Sequence, residues 1–92
     1  MRIRWTDAAV RDLTRICDYI ERHRAAETAR RVAASIHRQI DLLEKFPEHG
    51  RTGRKLGTRE LVFSGLPYIA IYRIHGEAIQ ILRILHGAQR WP

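Results

Sequence analysis

YIAIYRIHGEAIQILRILH, residues 68–86, is the stretch on which the fold turns. Tyr68–Ile74 is rich in β-branched and aromatic residues, the composition of a half-buried pleated strand. His75-Gly76-Glu77 supplies a tight connection, and Ala78–His86 is a second run of the same kind. Two such runs joined by so few residues can only pair antiparallel. Upstream, TRELVF (58–63) reads as another strand and Ser64-Gly65-Leu66-Pro67 as the turn between them. The second half of the chain is therefore a three-stranded meander. The register of the last hairpin stays open, because a two- or three-residue loop would place Arg73 and Arg83 on different faces.

Working back toward the start, EHGRTGRKLG (48–57) is a glycine-punctuated loop that gathers Arg51, Arg54 and Lys55. Phe46-Pro47 ends whatever helix precedes it, since proline disfavours helical geometry in the residue before it. Before that lie two apolar stripes at helical spacing. One comprises Val10, Leu13, Cys17 and Ile20, with Ile16 beside them; the other comprises Ala29, Val32, Ala33, Ile36, Ile40 and Leu43. A single helix from Asp7 to Lys45 would run to about 60 Å at about 1.5 Å per residue, too long for a compact domain of 92 residues. A helical hairpin with its junction in His23–Ala26 is expected instead. Thr6 is a suitable N-cap for the first helix, and Arg2–Trp5 alternates like a short opening strand. The fold class expected is α+β: an antiparallel β-meander, plus the N-terminal strand, packed against a two-helix hairpin in one domain spanning 1–92.

The chain carries 17 Lys and Arg against 10 Asp and Glu, a formal charge of +7. Residues 1–44 hold nine basic and seven acidic side chains, whereas 45–92 hold eight basic and three acidic. The surplus in the second half points to an acidic partner, either nucleic acid or an acidic protein segment. Cys17 is the single cysteine, which fits a reducing compartment. No run approaches the roughly 18 apolar residues of a membrane span, and the opening residues contain no signal-peptide core. A cytoplasmic protein with no membrane partner is expected. His23, His37, His49, His75 and His86 lack metal-ligand spacing, and the glycines of 48–57 match no nucleotide-binding fingerprint, so neither a metal nor a cofactor is expected.

The segments FPEHGRTGRKLGTREL, PYIAIYRI and ILRILHGAQRWP resemble the RelE/ParE toxin superfamily, and its ParE-like branch most closely. The similarity covers nearly the whole chain and is most specific in the last third. The resemblance implies a toxin of a type II toxin–antitoxin system, silenced by a cognate antitoxin that orders on binding within a toxin–antitoxin hetero-oligomer. It also implies one of two activities: blocking DNA gyrase, or cutting messenger RNA in the ribosome. Cutting RNA needs a base, an acid and cations within hydrogen-bond reach. The candidates for it are Glu60, Arg73, Arg83 and His86, with Tyr72 as an added hydroxyl. Against that chemistry, His86 is followed by Gly87, where an aromatic side chain would be expected, and Tyr68–Tyr72 lacks an early cation. Blocking needs only a shaped cationic surface. Arg51, Arg54, Lys55, Arg59, Arg83, Arg90 and Trp91 are the residues expected to form it, Arg and Trp being enriched at binding hot spots. Glu60 is expected to pair with Arg73 or Arg83, since an unpaired buried charge is costly.

Overall fold

The computed structural model describes residues 1–92. The chain runs through β1 (Arg2–Trp5), α1 (Asp7–His23), α2 (Ala26–Asp41), a 3₁₀ turn (Leu42–Glu44), β2 (Arg51–Thr52), β3 (Arg59–Val62), β4 (Tyr68–His75) and β5 (Ala78–His86). The strands form one sheet in the order β1-β5-β4-β3-β2. The meander β3-β4-β5 and the helical hairpin are as the sequence implies. Three details differ. The N-terminal strand pairs parallel with β5, which makes the sheet mixed. The loop 48–57 contains a two-residue strand, β2, which pairs antiparallel with β3. The second helix tightens into the 3₁₀ turn before Phe46 and Pro47 rather than continuing to Lys45.

Local chemistry explains the helix ends. Thr6 Oγ1 accepts from the Ala9 amide at 3.1 Å, capping α1, and donates to the Leu82 carbonyl at 2.8 Å. One hydroxyl thus starts α1 and ties it to β5. Asp7 sits in the first turn and Arg22 and His23 in the last, each complementing the helix dipole. The start of α2 has no side-chain cap, and Arg30 bonds Glu27 at 3.0 Å across its first turn instead.

The hairpin between β4 and β5 has a two-residue connection, with His75 opposite Ala78 and Gly76 at φ +60. That backbone conformation favours glycine. The pairing does not stay in step. Tyr72 faces Ile81 but Ile71 faces Arg83, so Leu82 is an extra residue, a β-bulge in β5. This settles the open register.

The sheet has two unlike faces. Toward the helices lie Leu61, Ala70, Tyr72, Ile79, Ile81 and Ile84, packed with Ala9, Ile36, Ile40 and Leu43. Fully burying each large aliphatic or aromatic side chain contributes about 1.5–3 kcal/mol, so this cluster is the source of the fold's stability. On the other face Ile69, Ile71 and Leu85 are covered only by Leu82 and Trp91, with no helix above them. The α2 stripe lies inward as expected, and so do Leu13, Ile16, Cys17 and Ile20 of α1; only the first turn of α1 departs. Ala9, Asp12 and Ile20 are the buried residues of α1, and Val10 is half exposed. No helix is long and apolar enough to cross a membrane.

Candidate functional site

The sheet face away from the helices carries Glu60 and the arginines that it holds. Glu60 on β3 pairs with Ile71 on one side and Arg51 on the other. Paired residues share a face, so all three lie on this open side. The Glu60 side chain is only 1 % exposed, yet it is fully satisfied. Its Oε1 accepts from Arg51 Nη2 at 2.9 Å and Nε at 3.2 Å. Its Oε2 accepts from the Arg54 amide at 3.1 Å and lies 3.2 Å from Arg54 Nε. Burial pushes the carboxyl up, but the hydrogen bonds and positive charges of Arg51 and Arg54 outweigh it and hold the group below the usual carboxylate range. Glu60 is thus an ionised anchor that folds the basic loop onto the sheet.

Arg54 then reaches the C-terminal segment, its Nη1 donating to the Gln89 carbonyl at 3.3 Å. Trp91, two residues on, packs over Ile69, Ile71 and Leu85. Its indole N–H is buried without an acceptor. The Arg54–Gln89 bond therefore brings the basic loop carrying Arg51, Arg54 and Lys55 beside the C-terminal segment carrying Arg90 and Trp91. Lys55 and Arg90 are exposed and make no ion pair, so both charges are available to a partner.

Two of the expected surface residues are used inside the fold instead. Arg59 Nη1 donates to the carbonyls of Gly50 at 2.8 Å and Glu48 at 3.2 Å, bracing the segment before β2. The same segment is held by Tyr72, whose hydroxyl donates to the Pro47 carbonyl and accepts from the Gly50 amide, both at 2.8 Å. A methyl on Gly50 would lie 2.6 Å from the Tyr72 ring, so glycine is required by space there. Arg83, at the bulge, turns to α1. Its Nε and Nη2 donate to the two oxygens of Asp12 at 2.7 and 3.1 Å, and Asp12 Oδ2 also accepts from the Ile84 amide at 2.9 Å. That bidentate bond raises the Arg83 pKa above its ordinary value, the more so with the Asp12 charge beside it.

The expected pairing of Glu60 with Arg73 or Arg83 is thereby corrected. Glu60 holds Arg51 and Arg54, Arg83 holds Asp12, and Arg73 Nε donates to Gln80 Oε1 at 2.7 Å across the hairpin. Arg51 and Gln80 are cross-strand neighbours, whereas Arg54 and Asp12 come from the loop and from α1, placements that sequence alone does not give. The four ribonuclease candidates do not all meet: Arg83 and His86 line one cleft with Tyr68, but Glu60 and Arg73 lie outside it. His86 pairs with Tyr68, with their rings edge to face at 6.0 Å, and Tyr68 packs into the helix-side core. Glu60 is on the opposite face, three residues along β4, or about 10 Å. Tyr72 is fully buried in the core and its hydroxyl is fully used.

Asp12 is the residue that sequence reasoning missed. It lies three residues after Ala9 and four before Ile16, on the inward side of α1, and that spacing was the available signal. Cys17 is half-buried, and burial, followed by the charges of Asp18 and Glu21, raises its thiol pKa.

The family described as the ParE toxin of the type II toxin–antitoxin system parDE matches residues 3–91 of this chain. Y4kP of Sinorhizobium fredii is 45 % identical over 91 residues, covering 99 % of this chain and 93 % of that protein. Toxin RelE2 of Caulobacter vibrioides is 36 % identical over 85 residues, covering 92 % and 93 %. Among solved structures, the chromosomal ParDE system of P. aeruginosa superposes with a TM-score of 0.87 at 32 % identity, covering 94 % of this chain and 95 % of that one.

Proposed function

The chain belongs to the ParE toxin family of type II toxin–antitoxin systems, and from that premise we propose that it acts in the cytoplasm by blocking DNA gyrase and is silenced by a cognate antitoxin. The observation that carries this reading is the separation of Glu60 from the cleft that Arg83 and His86 share. Glu60 is ionised and clamped by two arginines, His86 lies on the other face of the sheet, and Arg83 is committed to Asp12. General acid–base catalysis needs its groups within hydrogen-bond reach of one substrate position. Blocking needs only a preformed surface, and Arg51, Arg54, Lys55, Arg90 and Trp91 supply one. Two of these arginines are held in place by a buried carboxylate, so little side-chain entropy is lost when a partner docks.

Antitoxin binding is supported by the P. aeruginosa neighbour, a two-component ParDE system. The excess positive charge attracts an acidic segment that folds on contact.

The test is direct. Purified toxin should inhibit gyrase supercoiling, and added antitoxin should relieve the inhibition. The double variant Lys55→Glu/Arg90→Glu should weaken inhibition by about tenfold or more, as expected for charges at a binding surface. Ribosome-dependent cleavage of messenger RNA, with supercoiling unaffected, would overturn the reading.

A further inference from the structure

At the end of the molecule where α2 runs into the 3₁₀ turn, large apolar side chains are left uncovered. Leu42 is 51 % exposed, Phe46 59 % and Met1 46 %. They are contiguous. One cleft, of about 670 Å³, is lined by Met1, Leu42 and His37. The next, of about 490 Å³, is lined by Met1, Phe46 and Ile74. Contiguous apolar surface of this kind marks an interaction site more often than scattered exposure does.

The charges around it are unlike the rest of the chain. Arg38, Lys45, Asp41, Glu44 and Glu48 line the two clefts along with the Met1 ammonium, three positive and three negative charges, a local sum of zero on a chain of +7. None of the six makes an ion pair within the chain. Nucleic acid is disfavoured here by three carboxylates, and an acidic segment is drawn instead to the basic surfaces elsewhere. A partner that fits must offer apolar side chains ringed by unpaired charges of both signs. This same surface meets that description.

We propose that this end of the molecule is a two-fold interface with a second copy of the chain. In an isologous dimer each patch meets itself, so Leu42 and Phe46 pack across the axis. Arg38 and Lys45 of one copy meet Asp41, Glu44 and Glu48 of the other. Two chains of +7 repel over most of their surfaces, and the near-neutral patch is where they can approach. A standard interface takes about 800 Å² from each partner, about an eighth of the 6118 Å² this chain exposes. The open sheet face and its basic residues stay free, so self-association is independent of target binding.

Sedimentation equilibrium of the free toxin across a wide concentration range tests the proposal. Its mass should rise toward twice 10.8 kDa. Arg38→Glu/Lys45→Glu and Asp41→Lys/Glu44→Lys should each stay monomeric, and mixing the two should restore the dimer. Leu42→Ser/Phe46→Ser should be monomeric while still inhibiting its target as wild type does. A wild type that stays at 10.8 kDa at every concentration overturns the proposal. So do charge variants that dimerise alone as the wild type does, or a mixture that fails to associate although both circular-dichroism spectra are native.

Discussion

Replacing Asp12 by alanine should destabilise the toxin more than any surface change of the same size. The carboxylate is 5 % exposed and answers three donors, two from Arg83 and one from the Ile84 amide. Alanine leaves that amide orphaned on β5 beside α1, which costs about 1–3 kcal/mol. The Arg83 side chain is 34 % exposed and can turn to water, so its share is discounted toward the surface value of about 1 kcal/mol. The sum is about 3 kcal/mol. For a chain of this length each kcal/mol shifts the melting temperature by about 4–8 °C, which gives a fall of about 12–24 °C. Asp12→Asn keeps an oxygen for the Ile84 amide and should lose only about 1 kcal/mol. Thermal and urea denaturation followed by circular dichroism measures both, and a double-mutant cycle with Arg83→Met isolates the pair. If Asp12→Ala unfolds within about 0.5 kcal/mol of wild type, the carboxylate does not tie α1 to β5 and the account of the bulge fails.

Acid should loosen the basic loop first. The folded Glu60 carboxyl sits below its ordinary value of 4.5, so its contribution is present above that value and is lost as pH falls through the lower, folded one. Melting temperatures measured between neutral pH and about pH 3 should therefore fall more steeply for wild type than for Glu60→Gln, which lacks the titrating group; parallel curves would contradict this. Tyr72→Phe removes the hydroxyl that serves Pro47 and Gly50 and should cost about 1–3 kcal/mol, with faster hydrogen exchange at the Gly50 amide. Unchanged exchange there would show that the segment before β2 is held by Arg59 alone. Cys17 should react with iodoacetamide more slowly than a free thiol at pH 8, because its raised pKa leaves less thiolate; equal rates would place it in solvent.

How much of this was legible beforehand can be argued residue by residue. The Tyr68–Ile74 and Ala78–His86 runs could be read as paired strands because β-branched alternation and a short glycine connection are local properties. The α2 stripe was legible for the same reason. The α1 stripe was legible in Leu13, Ile16, Cys17 and Ile20 but not at its start, where Val10 is exposed and Ala9 and Asp12 turn inward instead. Nothing local reveals that Asp12 will find a guanidinium seventy-one residues away.

Sequence by itself determined the periodicities, the end of helical structure ahead of Phe46-Pro47, the family resemblance and the concentration of positive charge in the second half. Tertiary structure alone decided which arginines keep their charge for a partner. Arg51, Arg54, Arg59 and Arg83 read alike in a sequence, but one bulge at Leu82 and one buried carboxylate at Glu60 assign them to separate tasks. The physical reason is that strand register fixes which face a side chain takes, and register is set by long-range pairing rather than by the residues of the strand alone.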